Sequence, residues 1–283
     1  MKPIAIATDS AHAALTADDQ LLVGALARLG AAAAPAVWDD PAVDWRDYRG
    51  VVMRSCWDYH LKPAAFLAWL DRLDGLGIPA VNRTELLRWN ADKRYLAGMA
   101  DQGIATVPTV FLAPGEAASL GAIAEGRGWT ELVVKPTVSA SARDTRRIAV
   151  PVSAEDEAWL RERLRSGGMM VQPFLPGIAD GELSLCFFDG AYSHTVLKRP
   201  NRGDFRVQGG TVEAVEPPRA IVEAAAAALA AAPGRTAYAR VDGVPSGDAF
   251  TLLELELIEP FLFLGRGEAA ADRFAAAVLA ALD

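Results

Sequence analysis

The first third of the chain alternates short apolar runs with segments whose apolar residues recur at helical spacing. Thr16, three residues before Asp19, resembles a capping box that begins a helix, and Pro63 suits the first position of another. Strands separated by helices predict an open, doubly wound parallel sheet of the α/β class. These strands are predicted over residues 4–7, 33–37, 50–54 and 79–82.

The last third of the chain has a different pattern. Two apolar runs flank Asp189-Gly190, a dipeptide typical of a two-residue hairpin turn, and a second antiparallel pair is predicted around Pro245 and Gly247. We therefore expect an α+β arrangement in the C-terminal part. Further strands are predicted over residues 107–112, 132–135, 169–172, 183–188, 191–197, 237–242 and 250–258, and helices over residues 91–102, 116–127, 153–165, 221–232 and 268–282.

The size and composition of the chain predict more than one core. It has 283 residues, of which 52% are hydrophobic. We expect three units packed as one body: residues 1–88, residues 89–170 and residues 171–283. The formal net charge of −8 argues against a nucleic-acid partner, since such a partner requires a basic face.

The chain lacks the sequence signals of a membrane protein or a disulfide framework. No window reaches about 18 uninterrupted apolar residues, and the first ten residues do not have the regions of a signal peptide. Cys56 and Cys186 lie far apart, so each is expected to be a small buried residue and not part of a zinc site. We expect a cytoplasmic protein without a membrane partner, either a homodimer or a homotetramer.

The acidic residues near the end of the chain predict a metal site. On a strand, Glu254 and Glu256 point to the same face while the neighbouring leucines point to the other. If this strand pairs with the preceding one, Asp242 joins them, and three converging carboxylates repel one another unless a cation neutralises them. Such oxygen ligands suit Mg²⁺, with Mn²⁺ as a substitute. Taken alone, the segment is also typical of an amphipathic strand with its acidic face in water.

Two lysines are candidates for phosphate binding. Lys135 ends a strand and precedes a loop of small residues that contains Ser139 and Ser141. An ammonium group can bind phosphate as a point charge, and the N–H groups of such a loop can cap phosphate oxygens. Lys93 is the second candidate. The loop is not a Walker motif, because no Gly-Lys-Ser/Thr follows it. A lone lysine is also typical of a solvated surface.

Two further segments suit a nucleotide. Gln172, Phe174 and Leu175 lie where a strand must end beside prolines, so free backbone groups there can meet an adenine edge. A plain linker between domains has the same pattern. Arg199 and Arg206 lie at the two ends of a glycine-containing loop, and arginine forks match phosphate or carboxylate oxygens. Such a loop can close over a transferring phosphoryl group, or it can simply be solvated.

Taken together and in this order, these residues resemble the ATP-grasp superfamily, and within it the glutathione-synthetase-like branch. The resemblance extends over nearly the whole chain. The ordered set consists of Asn-Ala-Asp-Lys93, Val-Val-Lys135-Pro, a small-residue loop, Val-Gln172-Pro-Phe-Leu-Pro, Asp-Gly-Glu182, Phe-Phe-Asp-Gly, Arg199 with the loop to Gly210, Arg-Val-Asp242 and Glu254-Leu-Glu256.

The resemblance implies a fold and a set of roles. An N-terminal parallel α/β domain would lie on the substrate side, and two α+β subdomains would clasp ATP. The implied ATP ligands are Lys93, Lys135, Ser139, Ser141, Gln172, Phe174, Leu175 and Glu182. Arg199 and Arg206 would be catalytic, Asp242, Glu254 and Glu256 would hold magnesium, and Arg54, Trp57, Asp58 and Tyr59 would contact the substrate. Trp57 and Tyr59 are equally typical of buried packing aromatics.

Departures from the glutathione-synthetase pattern narrow the expected reaction. Serine and alanine replace glycine after Lys135, and Glu256 replaces a more usual asparagine. Residues 54–61, 139–145 and 253–260 instead resemble the subgroup of cycloserine-pathway cyclo-ligases, which close O-ureido-D-serine into a ring. The resemblance implies that ATP phosphorylates an amino-acid-like carboxylate and that a nitrogen then displaces the phosphate. The alternatives are a ligase that joins two molecules and a non-catalytic ATP-binding module.

Overall fold

The computed structural model describes residues 2–140 and 142–283. The first sheet is formed by the N-terminal part of the chain. Its strands are β1 (Ile4–Thr8), β2 (Ala33–Val37), β3 (Gly50–Met53) and β4 (Ala80–Val81). They pair in parallel in the order β2-β1-β3-β4, which confirms the predicted open α/β arrangement. The helices of this part are α1 (Ala17–Arg28), α2 (Pro63–Leu76) and α3 (Thr84–Asn90).

Local sequence signals determine where α1 and α2 begin and end. The Thr16 hydroxyl accepts a hydrogen bond from the Asp19 backbone N–H at 3.2 Å, and the Asp19 carboxylate accepts one from the Thr16 backbone N–H at 3.4 Å. This confirms the predicted capping box. Helix α2 begins at Pro63 and ends before Gly77, whose φ of 65° lies in the left-handed region that favours glycine.

The central sheet is antiparallel. Its strands are β5 (Val110–Leu112), β6 (Glu131–Pro136), β7 (Arg146–Ala149) and β8 (Met169–Pro173), in the order β5-β8-β6-β7. The helices of this part are α4 (Tyr95–Asp101), α5 (Leu120–Arg127) and α6 (Ala154–Leu164). Strand β7 was not predicted, because it is an edge strand with only Ile148 fully buried, and its apolar signal is correspondingly weak.

The helix predicted over residues 91–102 is wrong at its start. The chain forms α3 and α4 instead, and residues 91–94 between them are not helical. Here the Lys93 backbone N–H donates to the Thr137 carbonyl at 2.9 Å, so the chain is bound to the central sheet and does not continue a helical ladder. This break sets the position of Lys93 beside the loop that follows β6.

The C-terminal sheet has five antiparallel strands. They are β9 (Glu182–Phe188), β10 (Ala191–Arg199), β11 (Thr211–Val215), β12 (Tyr238–Ser246) and β13 (Ala249–Glu256), in the order β11-β10-β9-β12-β13. The predicted hairpin turn is confirmed, since Asp189 and Gly190 both have positive φ. Strand β11 was not predicted, because it is an exposed edge strand. The remaining helices are α7 (Arg219–Ala230) and α8 (Ala270–Leu282).

The C-terminal helix packs against the N-terminal sheet. Phe274 and Val278 of α8 share one core with Ile6 of β1 and Leu22 of α1. The chain therefore returns to its first unit after completing the third sheet. The boundaries at residues 88 and 170 stay predictions.

Cys56 and Cys186 are both buried, as expected. Within the ranges 2–140 and 142–283, no helix combines the length and the apolar character that crossing a membrane requires.

Candidate active site

A cleft of about 490 Å³ lies between the central and C-terminal sheets and reaches the N-terminal domain. It has walls from all three parts of the chain, with Lys135 from β6, Asp242 from β12 and Trp57 from the loop after β3. Most of the residues singled out from the sequence meet here. Those that line the cleft are Trp57, Tyr59, Lys93, Lys135, Ser139, Gln172, Phe174, Leu175, Glu182, Arg206, Asp242, Glu254 and Glu256.

Two residues expected at the substrate do not line the cleft. Arg54 is 2% exposed, and its Nε donates to Asp19 Oδ1 at 2.8 Å within the N-terminal domain. Asp58 is bound by Trp38 Nε1 at 2.7 Å and by Lys62 Nζ at 2.7 Å. Both side chains already have partners that hold them away from the cleft. The structure therefore places neither one where it can contact a substrate bound there.

Arg199 is displaced from the expected site by strand geometry. Successive side chains of β10 point to opposite faces of the sheet, so Lys198 and Arg199 cannot both face the cleft. Lys198 is buried and lines the cleft, whereas the Arg199 guanidinium pairs with Glu213 of the neighbouring edge strand. Of the two adjacent cations, Lys198 therefore faces the cleft, and the role expected of Arg199 stays a prediction. Ser141, also expected at the phosphates, lies outside the described residues.

The strand pairing needed for the acidic site is confirmed. Strand β12 pairs with β13 so that Asp242 lies opposite Glu254 and Arg240 lies opposite Glu256. All four side chains line the cleft. The register thus places one cation and three carboxylates on one wall. From the sequence alone, Arg240 is part of a motif and has no assigned role.

Protein cations neutralise the acidic wall. Arg240 Nη2 donates to Asp242 Oδ2 at 2.9 Å and to Glu256 Oε1 at 2.5 Å. Lys198 Nζ lies 2.5 Å from Glu182 Oε1 and 3.3 Å from Asp242 Oδ2. Two cations and three carboxylates therefore form one network. Charge pairing of this kind compensates part of the cost of removing the groups from water.

The environment gives the carboxyl groups different proton affinities. Burial acts to raise the pKa of Asp242, but Arg240 and Lys198 outweigh it and hold that pKa well below its ordinary range. Burial raises the pKa of Glu256 to about 7, with Arg240 opposing the change and Asp242 adding to it. Burial, together with Glu256, raises the pKa of Glu259 to about 8. Asp242 is thus the most firmly ionised of the three.

The two candidate lysines line the cleft beside the acidic wall. Lys93 Nζ donates to the Ser139 carbonyl at 2.5 Å and lies 3.0 Å from Glu254 Oε1. Burial, together with the charge of Lys93, lowers the pKa of Lys135, while Glu254 opposes that effect. Within residues 2–140 and 142–283, Lys135 has no carboxylate partner within 4.0 Å. It is a partly buried cation that lines the cleft and is free to bind an anion.

One end of the cleft is formed by the end of β8 and the residues that follow it. Strand β8 ends at Pro173, and the Phe174 backbone N–H donates to the Glu131 carbonyl at 2.9 Å. The Gln172 amide donates to Thr109 Oγ1 at 2.9 Å, which turns that side chain toward β5. Phe174 packs edge-on against Phe205 of the glycine-containing loop, at 6.4 Å between ring centroids.

The glycine-containing loop covers the cleft from the side of β10. Phe205, Arg206 and the backbone at Gly209 and Gly210 line the cavity. Arg206 pairs with Asp204 at 3.1 Å, and its side chain is about half exposed. Few buried contacts hold this loop, which is typical of segments that move when a ligand binds.

Magnesium fits this wall in chemistry but not in the present arrangement of side chains. Carboxylate oxygens are the ligands that Mg²⁺ prefers. In the described part of the chain, however, no three His, Cys, Asp or Glu side chains are grouped closely enough to hold a metal ion. The reason is that Lys93 binds Glu254 while Arg240 binds Asp242 and Glu256.

Comparison with known proteins identifies close relatives. Residues 4–82 match the family described as D-cycloserine synthetase DcsG, N-terminal domain. The cycloserine biosynthesis protein DcsG of Streptomyces lavendulae is 34% identical over 97% of this chain and 97% of its own length. The crystal structure of D-cycloserine synthetase DcsG superposes with a TM-score of 0.92 and 32% identity, and the match covers 99% of both chains.

A more distant structure shares the fold. The ATP-grasp ligase PsnB, solved with a phosphomimetic variant of its minimal precursor, Mg and ADP, has a TM-score of 0.68 and 16% identity. The match covers 100% of both chains. At this identity the likeness supports the fold alone, and it confirms the predicted ATP-grasp architecture.

Proposed function

This chain belongs to the family of the cycloserine biosynthesis protein DcsG, a family of ATP-grasp ligases, and we propose that it closes a small amino acid into a ring at the expense of ATP. The substrate carboxylate would attack the γ-phosphorus of ATP, the bond to the bridging oxygen would break, and ADP would leave. A nitrogen of the same molecule would then attack the acyl carbon, lose its proton and expel phosphate.

The observation that carries this proposal is a pair of cleft lysines beside an acidic wall. Lys135 is partly buried and has no carboxylate partner in the described ranges, and Lys93 lies beside it. The adjoining wall carries Asp242, Glu254 and Glu256, and Lys93 lies 3.0 Å from Glu254. A triphosphate in this cleft would bind the lysines and approach the carboxylates. Such an arrangement favours phosphoryl transfer, which depends on positioning and on charge stabilisation.

The other residues of the cleft have proposed roles that follow from their positions. The end of β8 at Gln172, with Phe174 and Leu175, would hold adenine, and Glu182 would bind the ribose. The backbone at Ser139, next to Lys93, would contact phosphate. Arg206 would approach the transferring phosphoryl group when its loop closes and Asp204 releases it.

Magnesium is the proposed metal, and Asp242, Glu254 and Glu256 are the proposed ligands. The ion would draw negative charge from the phosphate oxygens. The cations of the protein prepare this site, because Arg240 and Lys93 bind the carboxylates and hold them on one wall until the ion replaces them.

The decisive experiment measures ADP and the mass of the product. Purified protein with ATP, Mg²⁺ and O-ureido-D-serine is expected to release ADP only when the amino acid is present. Ring closure alone yields a product lighter than the substrate by one water, and ring closure followed by hydrolysis of the carbamoyl group yields a product lighter by one carbon dioxide and one ammonia. A product with the mass of two substrate molecules less one water would instead identify a ligase that joins molecules. Binding of ATP without ADP release would contradict the enzymatic proposal.

A further inference from the structure

Glu259 lies in the cleft at the point where the C-terminal sheet meets the N-terminal domain. It follows the end of β13 by three residues and lines the cavity. Its carbonyl accepts a hydrogen bond from Trp57 Nε1 at 3.1 Å, and the Phe261 carbonyl accepts one from Arg240 Nη1 at 2.9 Å. These two bonds, from different parts of the chain, fix the backbone on both sides of Pro260.

Charge pairing distinguishes Glu259 from the other carboxyl groups of the cleft. Glu254 lies 3.0 Å from Lys93, Glu256 lies 2.5 Å from Arg240, and Glu182 lies 2.5 Å from Lys198. Asp242 is bound by Arg240 as well. In residues 2–140 and 142–283, no lysine, arginine or histidine nitrogen lies within 4.0 Å of the Glu259 carboxylate. The protein thus provides a cation for four of these carboxyl groups and leaves the fifth without one.

The surroundings of Glu259 suit a small cation from outside. Trp57 and Phe261 lie next to it, with 6.4 Å between their ring centroids, and both line the cavity. Aromatic faces attract ammonium groups. Burial and the charge of Glu256 raise the pKa of Glu259 to about 8, so its ionised form is unfavourable until a cation arrives. Glu259 therefore lines the cleft as a carboxyl group that has no cation partner among the described residues.

We infer that Glu259 binds the ammonium group of the amino acid substrate, an inference that rests on the proposed function. Lys135 and Glu259 would then serve as a matched pair of unpartnered charges, one for the phosphates of ATP and one for the amine of the substrate. The carboxylate to be activated would lie between them. The cleft therefore selects amino acids over carboxylic acids that lack an amine.

The test compares two substrates in the Glu259→Gln variant. One is O-ureido-D-serine, and the other is the same molecule with hydrogen in place of its ammonium group. The measured quantity is the ratio of their kcat/KM values for ADP formation. Loss of one partner of a desolvated charge pair costs at least about 2 kcal/mol, so the ratio is expected to fall by about 30-fold or more.

Two further variants are controls. Glu223→Gln removes a carboxylate from the exposed face of α7, where it pairs with Arg219, and is expected to retain the wild-type ratio. Glu259→Asp keeps the charge and is expected to restore part of the ratio lost in Glu259→Gln. This recovery would not occur if the side chain acted only through packing.

The outcomes separate this inference from the proposal on which it rests. If Glu259→Gln lowers kcat/KM for both substrates by the same factor, or changes neither value, the ratio stays at its wild-type value. Either result overturns the inference alone. The same holds if the ratio stays constant while the Mg²⁺ concentration for half-maximal rate rises tenfold, since Glu259 would then be a metal ligand. If the wild-type protein forms no ADP with any amino acid, the proposed function fails and the inference fails with it.

Discussion

Two clusters of the molecule have the same ingredients, an arginine between two carboxylates, but differ in access to solvent. Arg54 lies 2.8 Å from Asp19 and 3.7 Å from Asp18, and all three are at most 6% exposed. Arg240 lies between Asp242 and Glu256 on the wall of the cleft. The first cluster is closed, so its partners cannot exchange. The second opens onto a cavity, where a ligand can replace a protein group.

The closed cluster joins distant parts of the chain. Asp18 Oδ1 accepts the Leu264 backbone N–H at 2.6 Å, and the Ser55 hydroxyl donates to Asp19. The Arg54 guanidinium also lies 5.3 Å from the ring centre of Phe274 in α8. Removing one partner from a buried cluster of this kind leaves the remaining charges without compensation. The comparison teaches that ion-pair chemistry alone does not identify a functional site, because access to a ligand decides it.

The largest effect on stability is expected from Arg54→Met. This change leaves Asp18 and Asp19 buried without their cation, and breaking a buried pair in this way costs about 3–5 kcal/mol. Urea unfolding, followed by circular dichroism, measures the change in the free energy of unfolding. A loss below about 1 kcal/mol would show that the closed cluster does not stabilise the fold.

Glu254→Gln is expected to affect turnover more than stability. Its side chain is partly exposed to the cleft, so the free energy of unfolding should change by about 1 kcal/mol or less. The rate of ADP formation should fall by about 10²–10³, the cost of losing one contact to transition-state charge. Excess Mg²⁺ should restore part of the rate. An unchanged rate would remove Glu254 from the proposed metal site.

A matched pair of variants on β10 tests the assignment of its two faces. Lys198→Met removes the cation shared by Glu182 and Asp242, and we expect the rate of ADP formation to fall by about tenfold or more. Arg199→Met removes only a pair with the exposed Glu213, so stability should change by about 0.5 kcal/mol or less and the rate by less than about threefold. The reverse ranking would contradict the orientation of this strand.

The stability of the fold in acid depends on the two aspartates of the closed cluster. Burial acts to raise the pKa of Asp19, but Arg54 outweighs it and the pKa is lowered, so Asp19 stabilises the fold at neutral pH and this contribution is lost as pH falls through its folded pKa. Burial raises the pKa of Asp18, whose contribution to stability therefore increases as pH falls. The two effects oppose each other in the wild-type protein.

Asp18→Asn removes the carboxyl group whose contribution to stability increases as pH falls. The free energy of unfolding of the variant should fall more steeply than that of the wild type between about pH 5 and 3, by up to about 1.4 kcal/mol per pH unit for one proton. Urea unfolding at several pH values measures this slope. Equal slopes in the variant and the wild type would show that Asp18 does not offset the effect of Asp19 on the free energy of unfolding.

Much of the fold was determined by local signals in the sequence. The capping box at Thr16, the proline and glycine at the ends of α2, and the Asp189-Gly190 turn all depend on neighbours within a few residues, and the structure contains each of them. The alternation of Glu254 and Glu256 with leucines is likewise local, and so the sequence alone indicates an acidic strand. The edge strands β7 and β11 gave no such signal, because few of their residues are buried.

Tertiary structure decided which charged residues face the cleft. Arg54, Asp58 and Arg199 had the right chemistry for a site, but Asp19, Lys62 and Glu213 bind them elsewhere. Lys198, Arg240 and Glu259 became candidates only when three sheets met around one cavity. The physical reason is that the charge and reach of a side chain are local properties, whereas its partner and its access to a ligand depend on residues that are distant in sequence.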